Sequence, residues 1–166
     1  MSSKKIVVYP EPVLCNKANE IEKIDYNIIS LAEEMAEIMY QAPGVGLAAP
    51  QVGVDKRLIV VDPTSKSDSG RLISLINPVI VEREGKEVDS EMCLSVPEFS
   101  VDVPRSLRLL IRGVTLQGKE IELEIEGFPA RIFQHEIDHL DGKVILDYAS
   151  KLKRTIYLKK RKKGKI

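Results

Sequence analysis

The sequence predicts an α+β fold on three observations. Apolar residues recur at helical spacing near the N-terminus, strict alternation marks the middle, and the strands are grouped between helices rather than interleaved with them. The first helix runs from about Asp25 to Gln41. Ile28, Leu31, Met35, Ile38 and Met39 share one face, Asp25 is a suitable N-cap, and "APG" (42–44) stops it. Four strand-like segments follow: "RLIVVD" (57–62), "LISLINPVIVE" (72–82), "RLLIRGV" (108–114) and "KEIELEIEG" (119–127). In the last, Ile121, Leu123 and Ile125 alternate with glutamates, the period of a half-buried strand. "DPTSKSDSG" (62–70) is a polar loop joining two of these runs, not a domain boundary. A second helix starts near Pro129, a residue favoured at the first helical position, and Gly142 is placed to end it. A final helix spans about Ser150 to Lys163.

At 166 residues and 43% apolar, the chain fits one domain with a single core. Acidic and basic residues number 25 each, so no global field points to nucleic acid or to an acidic substrate. The zero hides an asymmetry. Residues 151–166 hold nine basic residues and no acidic ones, leaving residues 1–150 with 16 basic against 25 acidic, a net −9. The expected organisation is therefore a single domain over 1–150 and a basic helix or tail over 151–166. The N-terminal apolar run is too short for a secretory signal, and no window reaches the roughly 18 apolar residues of a membrane span. Two cysteines make no disulfide framework. A soluble cytoplasmic protein with no membrane contact is expected.

Both histidines lie in "QHEIDHLDG" (134–142). Residues four apart share one helix face, so His135 and His139 can aim two ring nitrogens at one metal ion. Glu136 projects beside them, close enough to act on a water without ligating the ion: the H-E-x-x-H arrangement. Catalytic metals usually take three protein ligands and keep one open position. The metzincin pattern matches at Gly142 but needs a histidine where Ile145 stands, and the thermolysin-like pattern needs a downstream glutamate, of which there is none. Both protease readings weaken, and the third ligand must lie upstream. Cys93, in the extended-looking "SEMCLSVP" (90–97), is one candidate, although a buried cysteine is more often inert packing. Cys15, in "PVLCNKA", reads as structural. A third segment, "PGVGLAAPQVG" (43–53), is rich in glycine and alanine and lets backbone approach a ligand closely. It lacks the Lys-Ser/Thr ending of a phosphate loop. Gln51 is its one side chain with an amide donor.

Taken together, "GVGLAAPQ" (44–51), "EMCLS" (91–95) and "QHEIDH" (134–139) resemble, in order, the three motifs of the peptide deformylase family, G-φ-G-φ-A-A-x-Q, E-G-C-φ-S and Q-H-E-φ-D-H, where φ is apolar. The likeness extends to "YPEPVL" and "VPR" (103–105), so it spans nearly the whole chain. It implies antiparallel strands packed around a central metal-binding helix, with an N-terminal helix and a C-terminal helix. It implies an enzyme that removes the formyl group from the N-formylmethionine of nascent bacterial polypeptides. Cys93, His135 and His139 would hold the metal, and Glu136 would be the general acid/base. The backbone N–H of Leu94 and the side-chain amide of Gln51 would stabilise the oxyanion. The implied metal is Fe²⁺, with Zn²⁺, Ni²⁺ or Co²⁺ able to replace it. The peptide would lie as an added strand against the glycine loop and the cysteine segment, including Gly46. Counting back from His135 by three and seven puts Ile132 and Phe128 on the same helix face, where with Val45 they would enclose the methionine side chain, core packing being the alternative for each. Arg131 either lines the pocket entrance or pairs with an acid such as Glu91.

One motif position departs: the family's glycine is Met92 here. If that position needs positive φ, methionine strains the backbone by about 1–2 kcal/mol. If it only allows close approach of the peptide, Met92 reshapes the groove. The alternative is a non-catalytic paralogue that binds nascent chains or ribosomes, with Met92 as a mark of decay. The basic tail resembles the family's C-terminal helix that docks on the ribosome near the peptide exit, and a concentrated positive patch can bind phosphate backbones. A charge run that is only a solvated end is the plainer reading.

Overall fold

The structure, a computed structural model, describes residues 4–164. After a single turn, α1 (Pro12–Cys15), the long helix α2 covers Tyr26–Gln41, and the Asp25 carboxylate caps it by accepting from the Ile28 N–H at 3.1 Å. β1 (Gly46–Ala48), β2 (Leu58–Val61), β3 (Ile73–Glu84), β6 (Arg108–Val114) and β7 (Glu120–Glu126) form an antiparallel sheet in the order β1-β2-β3-β6-β7. α3 (Phe128–Leu140) crosses one face of it. Phe133, Ile137 and Leu140 pack there with Ile59, Val61, Leu75 and Ile111. Leu31, Met35 and Met39 of α2 cover the opposite side with Leu47, Leu58, Val60 and Ile76. β2 is thus buried on both faces, which is why its four residues run Leu-Ile-Val-Val without alternation. Each such side chain contributes roughly 1.5–3 kcal/mol on burial, so α3 is held rigidly at the centre.

A second sheet is the hairpin of β4 (Glu87–Cys93) and β5 (Val96–Arg105). Phe99, Val101 and Val103 pack it against Leu14, Ile145 and Leu146, beyond the end of α3. α4 (Lys151–Lys162) starts at Ser150, whose side chain accepts from the Lys153 N–H, and docks on this hairpin through Tyr157. The Tyr157 hydroxyl donates to the Pro97 carbonyl at 2.7 Å, and its ring lies 4.9 Å from that of Phe99. The predicted layout of strands around a central helix is observed. The expected strands did not include the β4–β5 hairpin, because its buried positions include Glu91 and Arg105 and its first strand lacks apolar alternation. Of the basic tail, Lys165 and Ile166 lie outside the described residues.

Candidate metal centre and peptide cleft

α3 enters at Gly127, held at φ +73°, and leaves through Gly142 at φ +76°. At Gly142 a Cβ would come within 2.9 Å of the Cys15 carbonyl group, so only glycine lets the chain turn there. Between these ends His135 and His139 face β4, and Glu136 faces Gly46 of β1. Cys93 closes β4, and its sulfur lies 3.4 Å from His139 Nε2, which is 3.3 Å from His135 Nε2. One ligand atom from each of the three residues lies within 4.8 Å of the others. A tetrahedral ion bonded at about 2.0–2.3 Å separates its ligand atoms by about 3.3–3.8 Å, which the two close distances match. Cys93, His135 and His139 therefore form a group that could hold a metal ion.

The hydrogen bonds around the rings fit the same role. Glu91, a buried residue of β4, accepts from His135 Nδ1 at 2.9 Å, leaving the Nε2 lone pair directed at Cys93 and His139. Arg105 Nε and Nη2 each donate to Glu91 at 2.9 Å, and Arg131 Nη1 donates at 2.7 Å. Burial pushes the Glu91 carboxyl up, but the hydrogen bonds from Arg105 and His135 outweigh it and hold it at about 2. Burial also raises Glu136, to about 7, with Glu91 and Asp138 adding to the effect and His135 opposing it. Burial lowers both imidazoles, yet Glu136 and Cys93 draw His135 well above its ordinary value. Burial and the His135 charge hold His139 well below its own.

Above the rings opens a cleft of about 500 Å³. Gln51 reaches it from the turn Ala49–Val52; its Oε1 accepts from the Ala48 N–H at 3.0 Å, so its amide Nε2 faces Ser95 Oγ at 3.2 Å and Cys93 Sγ at 3.6 Å. Leu94 lies in the turn between β4 and β5, and Val45, Gly46, Met92, Leu94, Phe128 and Ile132 all line the cleft with Glu136. His139 lies beneath it, buried. Ile132 is 4% exposed and belongs to the core as well, whereas Phe128 is 57% exposed at the rim. A Cβ on Gly46 would stand 2.6 Å from Glu136 Oε2 and 2.9 Å from Ile132 Cγ2, so this glycine is what lets α3 and the loop approach. Met92 is 72% exposed and is not among the positive-φ residues, so methionine carries no left-handed strain there. Arg131 does both things expected of it: it lines the cleft and pairs with Glu91.

Sequence reasoning missed the supporting shell. Arg105 also donates to Asp138 at 2.6 Å, and the Tyr148 hydroxyl donates to the same oxygen at 2.6 Å. The polar loop after β2 is a buttress. The Asp62 N–H donates to the Val45 carbonyl at 2.9 Å, and Ser65 Oγ donates to the Gly44 carbonyl at 2.6 Å. The Asp62 carboxylate collects Tyr40, Thr64 and Ser69. The signals available for these were Asp138 at i+3 from His135 and the serine-rich spacing after Asp62.

The sequence model of the family described as polypeptide deformylase matches residues 3–155. The chain belongs to the polypeptide deformylase family. Peptide deformylase of Thermodesulfovibrio yellowstonii is 47% identical over 165 residues, covering 99% of this chain and 100% of the relative. That of Desulforudis audaxviator is 50% identical over 161 residues, covering 96% and 99%. Among solved deformylases, the crystal structure from Legionella pneumophila superposes with a TM-score of 0.91 at 39% identity, covering 98% of this chain and 95% of that one. The Ehrlichia chaffeensis deformylase in complex with actinonin gives 0.91 at 38%, covering 99% and 98%.

Proposed function

We propose that Cys93, His135 and His139 hold a divalent ion, that Glu136 moves the proton, and that the Gln51 amide and the Leu94 N–H stabilise the oxyanion of a formyl group under hydrolysis. Family membership makes the chain a metal-dependent hydrolase that releases formate from the N-formylmethionine of nascent polypeptides. The observation that carries the residue assignment is the convergence of one sulfur and two ring nitrogens at the foot of a cleft that also holds Glu136 and the Gln51 amide.

When bound, a dication in this ligand set supplies Lewis acidity toward a water and the formyl oxygen. Glu136, buried and raised toward neutrality, accepts a proton from the attacking water and returns it to the amine nitrogen as the C–N bond breaks. Formate and a free methionyl amine leave. The Gln51 amide, fixed in orientation by Ala48, offers an N–H toward the developing negative charge, worth very roughly 3 kcal/mol in comparable sites. β1 and β4 are each the end strand of their sheet, which favours an added peptide strand in the cleft between the glycine loop and the cysteine segment. Gly46 and Met92 contact that strand, and Val45, Phe128 and Ile132 take the methionine side chain.

The resident ion is Fe²⁺; a thiolate with two imidazoles also suits Zn²⁺, Ni²⁺ or Co²⁺. Residues 1–150 form the catalytic domain, and 151–166 the basic segment through which the enzyme docks on ribosomal RNA near the exit tunnel, in the bacterial cytoplasm. The exposed lysines of α4 support that docking. Among the described residues no helix is long and apolar enough to cross a membrane.

Anaerobically purified, iron-loaded protein releases formate from formyl-Met-Ala-Ser, and Glu136→Gln abolishes release while retaining metal. Full turnover in that variant removes Glu136 from the mechanism. Deleting residues 152–166 weakens ribosome co-sedimentation and spares turnover of the tripeptide; unchanged sedimentation refutes the docking role.

A further inference from the structure

On the side of α3 away from the peptide cleft lies a second cavity, of about 350 Å³. Its charged lining is Arg83, Lys86, Arg105 and Lys143 against Asp138 and Asp141, an excess of two positive charges on a body whose residues 1–150 carry −9. Both carboxylates are already engaged: Asp138 Oδ2 by Arg105 and Tyr148, and Asp141 Oδ1 by Arg57. The cations from the rim are not. Arg83 makes one long contact, 3.4 Å, with the neutral Gln134 amide oxygen, which already accepts from the Ser106 N–H. Lys143 lies over the Tyr148 ring at 5.6 Å, and neither it nor Lys86 has a carboxylate partner among the described residues. On the neighbouring β6–β7 surface the arginines are paired, Arg108 with Glu84 and Glu124 and Arg112 with Glu122.

We propose that this cavity binds a phosphate group, free or as the terminus of a small metabolite. Three cations without acid partners line a concave polar site, and buried Arg105, held by Glu91 and Asp138, forms its floor. A carboxylate monoanion would leave one of the two excess charges unmatched; a phosphate dianion matches both. Arg105 is shared with the catalytic side, since the same guanidinium holds Glu91, and Glu91 holds His135. The assignment rests on the lining of this cavity and not on the proposed residue roles at the metal.

The test is calorimetric titration of the metal-loaded enzyme with inorganic phosphate and, separately, adenosine monophosphate, at low ionic strength in a zwitterionic buffer. The wild type binds phosphate saturably. The double variant Arg83→Ala/Lys143→Ala binds it at least roughly tenfold more weakly, whereas Lys159→Ala/Lys160→Ala, which removes equal charge from α4, binds as the wild type. Adenosine monophosphate binding as tightly as phosphate assigns the site to a phosphorylated metabolite; weaker binding assigns it to the free ion. Equal binding by the wild type and the first double variant overturns the proposal, as does equal weakening in both variants, which would mean diffuse attraction only. Phosphate held at the metal instead is reported by binding that survives Arg83→Ala/Lys143→Ala. Formyl-peptide turnover in phosphate-free buffer is unchanged in that variant, so the result stands apart from the catalytic assignment.

Discussion

Replacing Glu91 by glutamine probes the support of the metal centre without touching a ligand. In the native protein this buried carboxylate receives one hydrogen bond from His135, two from Arg105 and one from Arg131. An amide of the same shape loses the charge and turns a donor toward at least one of those donors. Breaking a buried ion pair costs about 3–5 kcal/mol. Arg105 keeps Asp138, and Arg131 keeps the carbonyls of Val103 and Glu87, so the lower end applies, about 3 kcal/mol. With a urea slope of roughly 2–3 kcal/mol/M, the unfolding midpoint falls by roughly 1–1.5 M. His135 also loses the acceptor that fixes its tautomer, and metal affinity drops about 10–100-fold. Urea unfolding followed by circular dichroism measures the first, and competition against a chelator the second. A midpoint within about 0.3 M of wild type together with unchanged metal affinity would refute the reasoning.

Three other perturbations give distinct outcomes. Gly46→Ala brings a methyl against Glu136 Oε2 and Ile132 Cγ2, and kcat/KM for a formyl-peptide falls about 100-fold or more while metal content stays full; wild-type turnover would show that the loop gives way freely. Met92→Gly stabilises nothing, because Met92 has no positive φ to relieve; stability drops by about 0.5–1 kcal/mol and KM changes for longer peptides, whereas a gain in stability would contradict the backbone reading. Burial raises Asp62, but hydrogen bonds from Tyr40, Thr64 and Ser69 outweigh it and hold the folded value at about 2, below the ordinary 3.8. A depressed carboxyl stabilises the fold above its unfolded pKa and loses that contribution as pH falls, roughly 1 kcal/mol by pH 3 and roughly 2 by pH 2. The stabilities of wild type and Asp62→Asn should therefore draw together by roughly 1 kcal/mol between pH 5 and pH 3 and by roughly 2 by pH 2, and a constant difference over that range would exclude the role given to Asp62.

Those three positions also mark what the sequence could and could not disclose. Periodicity reports a face that is uniformly apolar, so α2 and β7 were legible in outline; α3 was legible from Pro129 and Gly142 at its ends, and the histidine pair because helical spacing converts directly into geometry. β5 was readable in principle: Phe99, Val101 and Val103 alternate with Ser100 and Asp102. Its partner β4 was not, because Glu91 occupies an inward position. The pairing of Arg131 with Glu91 was among the expectations, but the grip of Arg105 on both Glu91 and Asp138 was not, because no local pattern encodes a contact from β5 to β4 and α3 at once. The buttress from Asp62 and Ser65 to the glycine loop is of the same kind. Its residues look like ordinary loop polarity until the fold brings Gly44 and Val45 against them.

X-ray absorption at the zinc edge of zinc-loaded protein addresses the ligand set itself. One sulfur at about 2.3 Å and two imidazole nitrogens at about 2.0–2.1 Å, with a further light atom, is the predicted shell. A shell without sulfur, or unchanged by Cys93→Ser, would contradict the account at its foundation.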